Sequence, residues 1–207
     1  MKRLYIFLLI IFLVPLQAGA EGLKERIEST YRDIKDMKGN FAQKSFIKEL
    51  GKEQNFDGSF LIKFPSKMRY TYKGASGDEI LVGKNRITIY QKKEKQAIRS
   101  PFDRNTYGSA PVSLLGGFGD LDREFNVSPA GENKLKLAPK SPMGGITSIE
   151  IEGGEEGKFP VKSFTIHDNR ANRIQINIKD ISLNTGIKDS RFEFKPPAGV
   201  NIFDYKP

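Results

Sequence analysis

The sequence predicts a mainly β domain in which one antiparallel sheet curls on itself and is covered by one long N-terminal helix and shorter helices. Three observations support this prediction. Side chains alternate between apolar and polar from Phe41 almost to the C-terminus, which is the period of a half-buried strand. Only one long stretch before Phe41 carries apolar residues at helical spacing. No linker or low-complexity segment divides the chain, so one domain is expected.

The first twenty residues have the three-part pattern of a secretory signal. Lys2-Arg3 is a basic start, residues 4–16 are almost wholly apolar, and residues 18–20 are small, as at a cleavage site. A membrane anchor is the alternative interpretation, but the apolar run is shorter than the roughly 20 residues that span a bilayer. We therefore expect residues 1–20 to be a cleaved signal peptide and residues 21–207 to form a single domain.

The first predicted element of that domain is an amphipathic helix. Its apolar stripe recurs at steps of three and four residues and comprises Leu23, Ile27, Tyr31, Ile34 and Met37. Lys38 suits the last turn and Gly39 suits the left-handed position that follows a helix. The pattern predicts a helix that ends at Gly39.

Twelve strands are predicted after this helix, with a break at Pro65, which cannot donate a ladder hydrogen bond. Their predicted ranges are 41–50, 56–64, 67–73, 80–82, 86–91, 96–100, 124–127, 134–137, 146–152, 161–167, 173–182 and 191–194.

A different pattern interrupts the strands in the middle of the chain. Ser109 suits a helix N-cap, Pro111 suits a first turn, and Gly116-Gly117 suits a stop, so a short helix is predicted with Leu114 and Leu115 as its apolar residues. Another turn is predicted near residues 120–124. The flanking glycines would allow this segment to move.

The width of the predicted sheet requires it to curl. About ten strands spaced about 4.8 Å apart would make a sheet about 50 Å wide, and a helix about 10 Å across covers only part of it. The residues that alternate on one side are aromatic or aliphatic: Phe60, Ile62 and Phe64, then Met68, Tyr70 and Tyr72. The interior is filled either by the chain's own side chains or by a guest molecule, and the pattern leaves both open.

Composition argues against several classes of function. The formal charge is +9, but the basic residues are scattered among acidic ones, so no nucleic-acid partner is expected. There is no cysteine, which excludes disulfides, thiolate ligands and a cysteine nucleophile. The one histidine, His167 beside Asp168, is predicted at a strand end next to a polar turn. No enzyme motif surrounds any serine, so neither catalysis nor a cofactor or metal is expected.

Five segments of the sequence resemble one known family, the LolA-type periplasmic carriers of outer-membrane lipoproteins. They are NFAQKS (40–45), the glycine, alternating apolar residues, proline and arginine-aromatic pair between Gly58 and Tyr70, ILVGKNRITIY (80–90), LKLAPK (135–140) and RFEFKPPAGVNIFD (191–204). They occur in the family's order and cover essentially the whole chain after the signal.

The resemblance implies an unclosed half β-barrel with a hydrophobic cavity under lid helices. It also implies a periplasmic monomer that carries triacylated lipoproteins from an inner-membrane ABC-type release complex to an outer-membrane acceptor. The residues predicted to line the cavity are Phe60, Ile62, Phe64, Met68, Tyr70, Tyr72, Ile87 and Ile89, and those predicted in the lid are Leu114, Leu115 and Phe118. A glycolipid carrier, or an envelope sensor that binds lipid on the same fold, is the alternative.

One position departs from the family pattern. Well-studied members have an arginine before the strand proline, which latches the lid, whereas this chain has Phe64 before Pro65. A guanidinium hydrogen bond to the lid is therefore impossible at this position, and either apolar contact or another residue must hold the lid.

Overall fold

The computed structural model describes residues 18–74, 77–103 and 111–205. Residues 1–17 of the expected signal peptide and the predicted N-cap Ser109 lie outside this part of the chain. The helices are α1 (Ala18–Asp33), a 3-10 helix (Pro111–Gly116), α2 (Leu121–Glu124) and a second 3-10 helix (Asp189–Phe192). The strands are β1 (Asp36–Ile47), β2 (Lys52–Lys63), β3 (Lys67–Tyr72), β4 (Glu79–Val82), β5 (Arg86–Gln91), β6 (Gln96–Pro101), β7 (Phe125–Gly131), β8 (Lys134–Pro139), β9 (Ile146–Gly153), β10 (Val161–Asp168), β11 (Arg173–Leu183) and β12 (Asn201–Asp204).

All twelve strands belong to one sheet that does not close into a barrel. Their order is β12-β6-β5-β4-β3-β2-β1-β11-β10-β9-β8-β7, so β12 and β7 are the two edges. Every neighbouring pair is antiparallel except β12 and β6, which are parallel. The sheet is therefore mixed, and the prediction of a purely antiparallel sheet was wrong at this edge. Local sequence cannot reveal this pairing, because a 17-residue connection separates β12 from β11.

The first eleven predicted strands are confirmed, with ends displaced by at most five residues. The twelfth, 191–194, was wrong, because this region begins as a 3-10 helix and crosses the outer face of the sheet. Phe194 packs there against Tyr90 of β5, with ring centroids 5.4 Å apart. Strand β12 was not predicted, because a strand of only four residues shows too little alternation to be recognised.

The predicted end of the first helix was also wrong. Helix α1 ends at Asp33, and Met37 and Gly39 belong to β1. Strand β1 is hydrogen-bonded on both sides, to β2 and to β11, and this pairing outweighs the helical pattern. Gly39 does not adopt the left-handed conformation. It is needed for space, because an added Cβ would lie 2.9 Å from the Phe60 ring and 2.9 Å from the Lys179 carbonyl oxygen.

The sheet curves around a core that both of its halves share. Residues 111–118, which we call the cap segment, contact β3 through Gly116, where an added Cβ would collide with Met68. Two residues later Phe118 packs edge-on against Phe164 of β10, with ring centroids 5.4 Å apart. Strands β3 and β10 are four steps apart, about 19 Å in a flat sheet. One short segment reaches both because the sheet bends around it.

Candidate functional site: the concave face

The strand register places the residues predicted to line a cavity on one face of the sheet. Phe60 pairs with Tyr70, and Ile62 pairs with Met68, so these four side chains point to the same side. The remaining strands extend both rows. The first continues through Ile80, Ile89, Ile98 and Phe203, and the second through Val82 and Ile87. Because the cap segment and α1 lie on this side, it is the concave face.

Burial along the first row falls from the centre of the sheet to its edge. Phe60 and Tyr70 are 1% exposed, whereas Phe203 on the edge strand is 53% exposed. Ile62, Met68 and Ile87 are also buried, and Phe64, Tyr72 and Ile89 are partly buried against the same core. The concave face is thus a continuous apolar surface that becomes accessible near β12.

The residues predicted in the lid lie over this face. Leu114, Leu115 and Phe118 are each at most 2% exposed and belong to the same core as the predicted wall. Three surface clefts of about 360–480 Å³, formed by described residues, are lined by other residues than the predicted wall. The predicted wall shares one buried core with these lid residues, so it packs against the chain's own side chains.

Sequence reasoning missed several parts of the concave face. Ile80 and Val82 lie in a strand of only four residues, which is too short for its alternation to assign a face. The opposite wall, including Phe164, Ile166 and Ile176, is buried and could have been found from the alternation in residues 161–167 and 173–182. What the pattern could not supply was the curvature that brings this wall over β3.

Phe64 contacts the N-terminal helix. Its ring packs edge-on against Tyr31 of α1 at a centroid distance of 5.9 Å. Tyr31 also contacts Phe159, on the connection between β9 and β10, at 6.0 Å. These three rings form what we call the aromatic cluster, which joins the end of β2 to α1. Apolar contact thus occupies the place where the family pattern has a guanidinium.

A cleft of about 480 Å³ adjoins the aromatic cluster. Phe159 is one of its lining residues, and Val161, Ile178, Ile181 and Leu183 supply most of the other apolar surface. Lysines stand among them, but two of these lysines are already paired. Lys158 binds Glu155 at 2.5 Å and Lys162 binds Glu152 at 2.7 Å.

A buried carboxylate fixes the chain between α1 and β1. The Asp36 side chain, 4% exposed, accepts hydrogen bonds from the backbone N–H groups of Thr185 (2.8 Å), Gly186 (3.0 Å) and Ile187 (3.2 Å). The Thr185 hydroxyl donates a fourth at 3.2 Å. Burial alone would raise the pKa of Asp36, but these hydrogen bonds together lower it below its usual value. Asp36 is therefore a structural anion that ties residues 185–187 to the start of β1.

His167 is the next-to-last residue of its strand, before a turn at residues 169–170. It lies in β10, and its Nε2 atom is 3.7 Å from a carboxylate oxygen of Glu150. Within the described ranges no three histidine, aspartate or glutamate side chains are placed to hold a metal ion. None of the helices in those ranges is long and apolar enough to cross a membrane.

An open curved sheet with an apolar concave face defines a half-barrel, and side chains of α1 and of the cap segment belong to the core on that face. A solved structure shares this fold, the LolA superfamily protein NE2245 from Nitrosomonas europaea, with a TM-score of 0.53 at 11% identity over 85% of this chain and 98% of that one. The sequence profile described as outer membrane lipoprotein carrier protein LolA matches residues 32–195. The chain belongs to this outer-membrane lipoprotein carrier family.

Individual family members are similar over nearly their whole length. An outer-membrane lipoprotein carrier protein of Halorhodospira halophila is 27% identical, and the match covers 100% of this chain and 98% of that protein. A protein of the same description from Dechloromonas aromatica is 24% identical over 92% of this chain and 91% of its own length. The family is one of carriers rather than enzymes.

Proposed function

We propose that this protein is a periplasmic lipoprotein carrier that holds the acyl chains of its cargo against the concave face. The observation that carries the proposal is the continuous apolar row from Phe60 to Phe203. The cap segment, a short piece of chain outside the sheet, covers part of this face. Membership of the lipoprotein carrier family supports the same assignment.

Hydrocarbon burial explains why such a carrier is needed. Each methylene group removed from water contributes about 0.8 kcal/mol, so an exposed acyl chain would aggregate or return to a membrane. The concave face offers a comparable apolar environment, but it is already in contact with the cap segment. An incoming chain must replace these contacts, so the net affinity is smaller than the gross burial. A modest affinity suits a carrier that must release its cargo.

Loading then requires the cap segment to move. Leu114, Leu115 and Phe118 would exchange their contacts with the sheet for contacts with the guest or with solvent. Gly116 and Gly117, at the end of the 3-10 helix, lie next to the contact with Met68. Glycine lowers the cost of backbone rearrangement at such a point. In this proposal the cap segment acts as the lid.

The partners follow from the proposed role. A triacylated lipoprotein is the cargo, an inner-membrane ABC-type complex loads it, and an outer-membrane acceptor with higher affinity for acyl chains receives it. The carrier is proposed to act as a monomer.

A binding experiment with matched cargo tests the proposal. One lipoprotein is prepared in its triacylated form and in a form whose acylated cysteine is replaced by serine. Each is mixed with the carrier in detergent, the detergent is removed, and complexes are separated by size exclusion. We expect the carrier to co-elute with the acylated form alone. Equal binding of both forms, or of neither, would contradict the proposal.

Variants of the carrier refine this experiment. Phe64→Glu places a charge beside the concave face and should reduce co-elution at least tenfold, because a charge next to acyl chains loses hydration. Leu50→Glu, in a turn where Leu50 is 57% exposed, is the matched control and should bind normally. Mass spectrometry of the protein purified from its native periplasm then identifies the cargo; free glycolipid in place of triacylated lipoprotein would favour the glycolipid carrier.

A further inference from the structure

The hydroxyl group of Tyr31 is buried without a hydrogen-bond partner. Tyr31 is 6% exposed, and among the described residues no donor or acceptor lies within hydrogen-bond reach of its oxygen. The apolar stripe of α1, which includes Ile27 and Ile34, would be served equally well by phenylalanine at this position. A buried hydroxyl that loses its hydrogen bonds to water lowers stability, so an unpaired one calls for an explanation.

The surroundings of this hydroxyl are apolar. Phe64 and Phe159 flank the Tyr31 ring, and an added Cβ at Gly119 would lie 3.2 Å from the Tyr31 Cβ, so the ring is closely packed. Burial raises the pKa of Tyr31, which keeps the hydroxyl protonated and able to donate. The group is therefore a neutral donor in an aromatic cage.

The cage borders the cleft of about 480 Å³, because Phe159 belongs to both. The apolar lining of the cleft includes Val161, Ile178 and Ile181, three side chains suited to an alkyl chain. Tyr31 is not among the residues that line the cleft, so a ligand whose alkyl part lies there must displace the Phe159 ring to reach the hydroxyl.

We propose that the Tyr31 hydroxyl donates a hydrogen bond to a carbonyl oxygen of the ligand, in the ester or amide group that begins an acyl chain. This inference rests on the proposed carrier function and adds to it a residue that recognises the polar end of the chain. A neutral acceptor fits the site better than a carboxylate, since a carboxylate would have to lose its hydration. Of the three lysines that line the cleft, Lys158 and Lys162 are already paired with glutamates.

Two lipids that differ only in the carbonyl group test this assignment. Dimyristoylglycerol carries two ester carbonyls, whereas ditetradecylglycerol has ether links and chains of equal length. Both compete with a fluorescent lipid for the carrier. We expect the wild type to prefer the ester lipid about tenfold, the effect of one hydrogen bond to a buried donor.

The variant Tyr31→Phe should lose this preference while it binds the ether lipid as the wild type does. Its midpoint of urea unfolding should be equal or higher, because the change removes an unpaired polar group. Tyr90→Phe makes the same change on the outer face and should retain the preference.

The possible outcomes separate the two proposals. A wild type that binds both lipids equally, or a Tyr31→Phe variant that still prefers the ester, overturns the role of Tyr31 and leaves the carrier function standing. A wild type that binds neither lipid also overturns the role of Tyr31, and the co-elution experiment with lipoprotein then decides the carrier function. If the variant does not fold, the wild type alone can still overturn the role of Tyr31, by binding both lipids equally.

Discussion

At the scale of single residues, Asp36 has a structural role that no pattern in the sequence predicts. It lies three residues after the end of α1, and its carboxylate holds backbone N–H groups about 150 residues further along the chain. A lone aspartate between a helix and a strand has the same appearance in a sequence whether it caps a distant loop or faces water.

Replacing Asp36 with asparagine should lower the free energy of unfolding by about 1–3 kcal/mol at pH 7, because buried N–H groups lose a charged acceptor. The folded-state pKa of Asp36 is lowered, so its contribution is fully present above the unfolded pKa of about 3.9 and is lost as the pH falls towards the folded pKa. Urea unfolding at several pH values measures this. The difference between wild type and variant should shrink below about pH 4.

Asp57→Asn is the matched control for this prediction. Asp57 lies in β2 and is exposed, and a surface substitution of this kind changes stability by less than about 0.5 kcal/mol. An Asp36→Asn variant as stable as Asp57→Asn at pH 7 would show that the four hydrogen bonds contribute little.

At the scale of elements, the cap segment is the piece whose movement the carrier function requires. The chain has no native cysteine, so an engineered pair forms the only possible disulfide. Met68→Cys with Gly116→Cys joins the cap segment to β3 where these residues meet. We expect the oxidised protein to bind acylated lipoprotein at least tenfold more weakly than the reduced protein, with binding restored by reductant.

Each single-cysteine variant controls for the substitutions themselves. Mass measurement must show that the bridge has formed before binding is compared. Undiminished binding by the fully bridged protein would mean that acyl chains reach the concave face without movement of the cap segment.

The elements also show how far sequence patterns lead. Helix α1 was predicted to end too late because Met37 fits two periods at once. It follows Ile34 by three residues, as in a helix, and it alternates with Gly39 and Phe41, as in a strand. Only the pairing of β1 on both sides decides between them. Part of that decision depends on β11, whose Leu183 pairs with Met37 from more than 100 positions away, which no local window contains.

At the candidate site, the alternation of apolar residues predicts which side chains share a face. It does not predict the curvature of the sheet, which determines what those side chains contact. Phe60, Ile62, Met68 and Tyr70 were placed on a single face because period two fixes the side of a strand to which a side chain points. Tyr31 was assigned to the apolar stripe of the helix, and nothing in that stripe reveals that its hydroxyl is unpaired. A missing hydrogen-bond partner can be recognised only from the coordinates of the surrounding residues.

At the scale of the whole molecule, the C-terminal segment covers the outer face of the first half of the sheet. Residues 184–205, which we call the strap, cross from β11 to the edge at β6. Asp189 pairs with Lys63 and Lys67, and these two lysines lower its pKa to about 2. Further along, Phe194 covers Tyr90.

Phe194→Ala should lower the free energy of unfolding by about 1–2 kcal/mol, because it removes one ring from an aromatic pair and uncovers Tyr90. Phe203→Ala on the exposed edge is the control and should cost less than about 0.5 kcal/mol. Since the strap joins distant strands, the whole transition should shift when circular dichroism follows urea unfolding. A separate early transition in Phe194→Ala would show that the strap unfolds independently.

The fold cannot be completed until the strap has been synthesised. Strands β2 to β6 are synthesised well before the strap, yet Tyr90 on their outer side is covered only when Phe194, about a hundred residues later, arrives. Until then the incomplete sheet exposes apolar side chains on both faces and an unpaired edge at β6. Such an intermediate aggregates unless a chaperone binds it.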